Sequence, residues 1–315
     1  MTNEFELRPV GPFSWAAAID VLHHWAPVRR FLHGDGEVRL TFPLDGDFQP
    51  VAVALREHDG GLRGRVAGTT RIGAVARQVA RMFSLDHDGS DFARVGERDP
   101  ALAPIVRTLA GLRPVCFSSP YEAAAWAVLS QRISMEQAAA LEERLLEAHG
   151  ATVTLDGAQV RCFPPPDRLR RIASFPGLTA EKIVRLHAVA DAARDGLLDA
   201  DRLRALGDDR APEALRTIRG IGPFWAAGIY LRAGGIVDVF PHEPRALAAL
   251  GRLHGLGGQP DAATVARLTD AYRPFRMWVC FLLRVAAARE LLPAEVSGQR
   301  EATAPRPRRR AARAR

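Results

Sequence analysis

In the first third of the chain, apolar and polar side chains alternate over short stretches. Val38-Arg39-Leu40-Thr41-Phe42 has the two-residue period of a half-buried strand. The runs Phe5–Val10, Glu37–Phe42, Val51–Arg56 and Leu62–Ala67 predict four strands, and Gly60-Gly61 between two of them predicts a hairpin turn. Two helices interrupt them, Trp15–Trp25 and Arg71–Phe83. The second carries Ile72, Val75, Val79, Met82 and Phe83 on a helical stripe.

From about Cys116 the apolar spacing lengthens to three and four residues. Ser119-Pro120-Tyr121-Glu122 combines a serine cap, a proline at the first helical position and a glutamate three residues after the cap. A second helix starts at Ser134-Met135-Glu136-Gln137 and ends at Gly150, and a short strand-like pair follows, Ala151–Leu155 and Ala158–Cys162. Further helices are predicted at Asp167–Ile172, Ala180–Asp195, Asp199–Leu206, Ala211–Thr217, Phe224–Ala233, Arg245–Leu253, Ala262–Tyr272 and Pro274–Leu292. The pattern predicts an α+β chain: an N-terminal mixed sheet-and-helix domain over 1–115, then an essentially all-α domain over 116–296. Residues 297–315 have no apolar periodicity and an Arg, Ala and Pro composition, which predicts a disordered tail.

Composition refines this picture at three points. With 47% hydrophobic and 25% charged residues over 315 positions, the chain is not disordered throughout. The formal charge of +7 calls for an anionic partner, but its position matters. Ser297–Arg315 hold seven arginines against Glu301 alone, so the tail carries +6 and the rest of the chain is close to neutral. Lys182 is the only lysine, and Cys116, Cys162 and Cys280 lie too far apart for a metal or iron–sulfur motif. No signal-peptide pattern, disulfide framework or membrane-length apolar run is visible. The expectation is therefore a cytoplasmic, nucleoid-associated protein that is monomeric and has no membrane partner.

Three local features have chemical potential. Gly220-Ile221-Gly222-Pro223-Phe224-Trp225 is a glycine-flanked turn opening a helix. Its backbone amides would be free to hold an anion. Val237-Asp238-Val239-Phe240-Pro241-His242-Glu243-Pro244 is an acid- and histidine-bearing loop entering a helix. Ser130-Gln131-Arg132-Ile133-Ser134 is a polar break between two capped helices, able to present Gln131 and Arg132 outwards. Taken alone, each has a plainer structural use: a packing corner, a helix cap, a solvated turn.

Their order changes the picture. Pro120-Tyr121-Glu122-Ala123, Ser130-Gln131-Arg132-Ile133-Ser134, Pro176-Gly177-Leu178-Thr179-Ala180-Glu181-Lys182, the Gly220–Ala226 turn, the Asp238–Pro244 loop and Tyr272-Arg273-Pro274-Phe275-Arg276 follow one another. Together they resemble the helix–hairpin–helix DNA glycosylase superfamily and, within it, the DNA-3-methyladenine glycosylase II (AlkA-like) family. The resemblance covers roughly Cys116–Leu292, with weaker likeness before it.

This resemblance implies a monofunctional N-glycosylase that removes alkylated purines, of the 3-methyladenine or 7-methylguanine type, from duplex DNA in base excision repair. The damaged nucleotide is flipped into a pocket, and a carboxylate supports departure of the base. It implies DNA contacts at Gly220, Ile221 and Gly222, with Gln131 and Arg132 in the wedge loop. Phe224 and Trp225 become pocket walls, where an aromatic face suits a cationic base. No cofactor is required, although the hairpin carbonyls of the family hold a monovalent cation. The family's catalytic aspartate aligns with Pro244 in this chain. That leaves Glu243 as the expected catalytic acid, His242 as a base or orienting partner, and Asp238 as an upstream acid. The same proline motivates an alternative, a non-catalytic damaged-DNA-binding protein on this scaffold. Lyase relatives place a nucleophilic lysine two residues after the second hairpin glycine, where this chain has Phe224.

Overall fold

The computed structural model describes residues 3–25 and 36–294. The tail over 297–315 therefore lies outside the described residues.

The alternating runs form strands β1 (Glu4–Leu7), β2 (Val38–Pro43), β3 (Pro50–His58) and β4 (Gly61–Ala67). They make one antiparallel sheet in the order β1-β4-β3-β2. Val38, Leu40, Phe42, Val51, Val53 and Leu55 are fully buried, as the period of two requires. His58 pairs with Gly61, so Asp59 and Gly60 are the two turn residues, both with positive φ (48° and 72°). That is the backbone a two-residue hairpin needs to match the strand twist. Helices α1 (Trp15–His24) and α2 (Ile72–Met82) cover one face, joined where Trp15 meets Phe83 edge-on at 5.3 Å. Residues 84–115 hold only short pieces, a single 3₁₀ turn followed by α3 (Val95–Arg98) and α4 (Ala103–Thr108).

Helix α5 (Pro120–Leu129) is buried on every side and forms the axis of the second half. Around it lie α6 (Met135–His149), α7 (Pro166–Leu169), α8 (Ala180–Arg194), α9 (Ala200–Arg216) and α10 (Pro223–Ala233). The helix starts read from sequence carry real caps: Ser119 accepts from Glu122 N, and Ser134 and Gln137 form a capping box. The second half is not purely helical. Strands β5 (Ala151–Leu155) and β6 (Ala158–Cys162) pair, and Val153 and Leu155 pack on Ala52 and Ala54 of β3.

The last three helices are α11 (Pro244–Leu253), α12 (Ala262–Thr269) and α13 (Arg276–Ala288). They join two cores. One core holds the four-stranded sheet, its helices and residues 84–115 together with Leu250, Trp278, Leu282 and Leu283; the other holds α5 to α10 with Met277 and Cys280. Helix α13 thus presents opposite faces to the two cores, and the Asp238–Pro244 loop lies beside that seam.

Candidate functional site

The glycine turn is braced from behind and open in front. Ile218 and Ile221 are buried, so the Ile221 side chain belongs to the core and only its backbone is available to a partner. Gly220 has φ +94°, and a Cβ there would meet Arg185 Cδ at 2.6 Å. Only glycine fits this backbone without strain. Gly222 caps α10 with extended backbone, and a Cβ there would meet nothing within 4 Å. Pro223 takes the first helical position, where its missing N–H costs nothing. Among the described residues, the amides of Gly222, Phe224 and Trp225 make no backbone hydrogen bond. The result is a concave run of donors at a helix start, facing open space.

Gln131 holds this turn. Its Nε2 donates to Gly220 O at 2.8 Å, and its Oε1 accepts from Arg185 Nη1. Arg185 Nε in turn donates to Glu181 at 2.9 Å, and Arg219 reaches the same carboxylate at 3.1 Å. The expectation that the loop presents Gln131 outwards therefore does not hold: its side chain is half-buried and engaged at both ends. Arg132 does point to solvent. It has φ +57°, an uncommon conformation for a non-glycine residue, and its side chain has no partner among the described residues. Gly220 O, one of the carbonyls a cation would use, is already an acceptor for Gln131.

Phe224 stands on the open side of the turn, 58% exposed, with the half-buried Trp225 ring edge-on at 5.6 Å. An exposed phenylalanine next to free amides is unusual for a monomer surface and suits a face that meets a partner.

The acid loop is organised by arginines that local sequence patterns do not reveal. Asp238 accepts from Arg273 Nη1 and from Arg276 Nε, both at 2.7 Å, and its backbone oxygen also accepts from Arg276. Met277 N donates to Val237 O at 2.8 Å, tying the loop to the start of α13. Asp238 is thus fully committed to holding the loop.

Glu243 is the N-cap of α11. Its Oε2 accepts from Ala246 N at 2.6 Å and lies 3.7 Å from Arg284 Nε; the side chain is 15% exposed. Its Oε1 has no partner among the described residues. Pro244 follows as the first helical residue. Burial, and then the nearby Glu243 charge, push the Cys280 thiol up to about 12. His242 is exposed and unpartnered among the described residues.

Lys182 Nζ donates to Leu129 O at 2.6 Å, at the end of α5, and burial lowers its pKa. Cys116, Cys162 and Cys280 are buried, and none forms a disulfide among the described residues. Among the described residues no group of three His, Cys, Asp or Glu side chains is arranged to hold a metal, and no helix is long and apolar enough to cross a membrane.

No family model matches the chain. A DNA-3-methyladenine glycosylase of Bacillus subtilis is 25% identical over 214 residues, covering 66% of this chain and 71% of that protein. A Mycobacterium tuberculosis protein, described as a probable bifunctional transcriptional activator/DNA repair enzyme AlkA, is 30% identical over 201 residues. That match covers 63% of this chain but only 40% of the mycobacterial protein. Among solved structures, a 3-methyladenine DNA-glycosylase from Archaeoglobus fulgidus superposes with a TM-score of 0.73 at 22% identity, over 90% of this chain and 98% of that one.

Proposed function

From the membership of this chain in the AlkA-like family of helix–hairpin–helix glycosylases, we propose that it is a monofunctional DNA N-glycosylase that excises alkylated purines from duplex DNA. The observation that carries this reading is the open face formed by Gly222–Trp225. Unengaged amides start a helix there, and the turn is held rigid by the Gln131–Arg185–Glu181 chain. Backbone amides at a helix start grip a phosphate without reading sequence, as repair of scattered lesions requires. Arg132, held in a left-handed conformation and free of partners, is the wedge that fills the stack when a nucleotide leaves it. Phe224 and Trp225 then present aromatic faces to the displaced base.

Glu243 supplies the chemistry. Departure of the base leaves positive charge on the sugar, and a fixed carboxylate stabilises that charge most in the transition state. The cap bond from Ala246 N fixes Oε2 and leaves Oε1 without a partner among the described residues, which supports a role for Oε1 toward the sugar or the attacking water. His242 is the secondary base of this loop, and Asp238 positions the loop through Arg273 and Arg276. No Schiff-base step enters, because Phe224 occupies the hairpin position of a lyase lysine and Lys182 is bonded to Leu129 O.

The test is release of 3-methyladenine or 7-methylguanine from an alkylated duplex by the purified protein. Release should be lost in Glu243→Gln while duplex binding is retained. A second reading rests on the same loop. With Pro244 at the family's acid position and Glu243 already capping α11 beside Arg284, the chain would bind damaged DNA without cutting it. Release of no base by the native protein from any alkylated duplex would favour that reading and overturn the first.

A further inference from the structure

Helix α11 has Glu243 as its N-cap and His254 as its C-cap, and the ten residues between them span about 15 Å. Leu250 and Leu253 bury one face of the helix in the core of the sheet half. Apolar burial attracts without direction, so by itself it leaves a helix free to slide or turn by small amounts. Polar bonds at the ends remove that freedom, because a satisfied buried network specifies one arrangement.

The bonds at the His254 end lead to Asp99, in the segment over 84–115. Tyr272 is fully buried at the end of the 3₁₀ turn Asp270–Tyr272, and its hydroxyl donates to Asp99 Oδ2 at 2.6 Å. Burial, and then the bond to Asp99, raise the Tyr272 pKa, so the hydroxyl keeps its hydrogen. The Tyr272 oxygen is left to accept, and His254 Nε2 lies 3.2 Å from it and 3.3 Å from Asp99 Oδ2. That arrangement puts the ring hydrogen on Nε2. Asp99 Oδ1 accepts from Ala101 N at 3.1 Å, so the carboxylate is itself held. Arg98 grips the neighbouring stretch, with Nε donating to Ala271 O at 2.7 Å and Nη2 to Arg273 O at 2.8 Å. Arg273 in turn holds Asp238 in the loop that leads to Glu243. Two adjacent residues, Arg98 and Asp99, thus anchor the far end of the helix that Glu243 caps and the turn that steadies its loop.

We propose that Asp99, acting through Tyr272 and His254 at the far end of α11, is a positioning residue for Glu243. The proposal rests on the reading of Glu243 as the acid of a glycosylase. A carboxylate on a helix is placed accurately only when the helix is itself anchored. A misplacement of about 1 Å costs a reaction roughly a hundredfold. The buried Asp99–Tyr272–His254 set supplies directional bonds at the one end of α11 that the glycosylase chemistry leaves unused.

Single-turnover excision by the full chain, at saturating protein and well below each variant's Tm, separates positioning from folding. Asp99→Ala and His254→Ala should each lower the rate constant at least about tenfold while duplex affinity stays within about twofold of native. The double variant should be no slower than the slower single one, because both changes break the same set of bonds. His254→Gln, whose side-chain N–H takes the place of Nε2–H, should recover to within about threefold of native. A purely structural role would lower Tm and leave the rate constant unchanged. A crystal structure of His254→Ala should show the Glu243–Arg284 separation, 3.7 Å in the native protein, altered by about 1 Å or more. This arm needs no excision, so it decides the clamp even for a native protein that releases no base, a result that would overturn the glycosylase reading alone. Should Asp99→Ala not fold, the two His254 variants and the crystal structure decide. Native rate constants in the alanine variants, a loss confined to duplex affinity, additive losses in the double variant, no recovery in His254→Gln, or an unmoved Glu243 would overturn the proposal.

Discussion

Gly220 and Gly222 stand two residues apart in one turn, yet substitution should affect them in opposite ways. At Gly220 an alanine Cβ would sit 2.6 Å from Arg185 Cδ and 2.9 Å from Cγ, at φ +94°. The backbone conformation alone costs a side-chain-bearing residue about 1–2 kcal/mol. Relieving the contact swings Arg185 away from Gln131 Oε1, a charge-assisted bond worth about 1.5–3 kcal/mol. Gly220→Ala should therefore cost about 2.5–5 kcal/mol and lower Tm by roughly 4–8 °C. At Gly222 the backbone is extended and a Cβ meets nothing within 4 Å. Gly222→Val should cost about 1 kcal/mol or less in stability. Its methyl groups would, however, fill the space in front of the Phe224 and Trp225 amides. Losing one charge-assisted amide–phosphate bond weakens duplex binding by about ten- to a hundredfold. Because amides carry no net charge, the slope of log affinity against log salt should stay at the native value. Thermal unfolding and fluorescence anisotropy on an unmodified duplex, over a salt series, separate the two effects. A Gly222→Val protein that binds DNA as the native protein does would refute the phosphate grip. A Gly220→Ala protein of native Tm would refute the brace.

Asp238→Asn removes two arginine pairs at 2.7 Å and should cost about 1–3 kcal/mol, measured by denaturant unfolding, without abolishing excision below the new Tm. Lost excision at native stability would instead place Asp238 in the chemistry. Lys182→Met should lose about 1 kcal/mol with its bond to Leu129 O, and borohydride should trap no protein–DNA adduct in either form; an adduct that vanishes in the variant would contradict the monofunctional reading. Burial raises the Glu37 pKa, but hydrogen bonds from Arg56, Arg39 and Arg65 outweigh it and bring the group to about 2. A depressed folded-state pKa stabilises above the usual carboxylate range and ceases to do so as pH falls towards 2. Glu37→Gln should therefore be about 1 kcal/mol less stable than native near neutrality, with the gap closing between pH 4.5 and 2 in pH-dependent urea unfolding. Removing residues 297–315 takes away seven arginines and one glutamate, which should reduce the salt slope of duplex binding by up to about 5 and leave excision on saturating DNA intact. Excision lost at saturation would contradict a tethering role for this segment.

Which parts of this molecule were legible in sequence follows from how far apart the interacting groups are. The strand period around Leu40, the Asp59–Gly60 turn and the Ser119 and Ser134 caps are interactions within a few residues, and the local pattern carries them. The two helices read at Asp199–Leu206 and Ala211–Thr217 join as α9, and Gly207, with φ +80°, marks the break between them. Residues 84–115 gave no helical signal because α3 and α4 span one turn or little more, too short for a period to repeat. That segment is fixed from outside, by buried Arg113, which donates to the carbonyls of Pro12, Ser84 and His87. The same distinction runs through the site. The glycine turn is local and was visible, whereas Gln131 turns inward to meet Gly220, 89 positions away. Arg276 and Arg284 lie far along the chain from the acids they hold, and no spacing rule connects them.

The role proposed for Glu243 requires that a helix cap and a reactive carboxylate do not exclude each other. A carboxylate has two oxygens, and here one of them takes all the structural duty: Oε2 accepts the Ala246 amide and faces Arg284. The cap bond removes rotamer freedom, so the order a catalytic acid needs is already in place before DNA arrives. A carboxylate fixed in this way is placed to stabilise a cationic sugar under the proposed reading. Arg284 draws on the same negative charge, but at 3.7 Å and 40% exposed it is a weak pair. Pro244 contributes through its fixed φ, which sets the first turn of α11 and with it the direction in which the Glu243 side chain leaves the loop. As the cap of α11, Glu243 therefore has one anchored oxygen and one open oxygen.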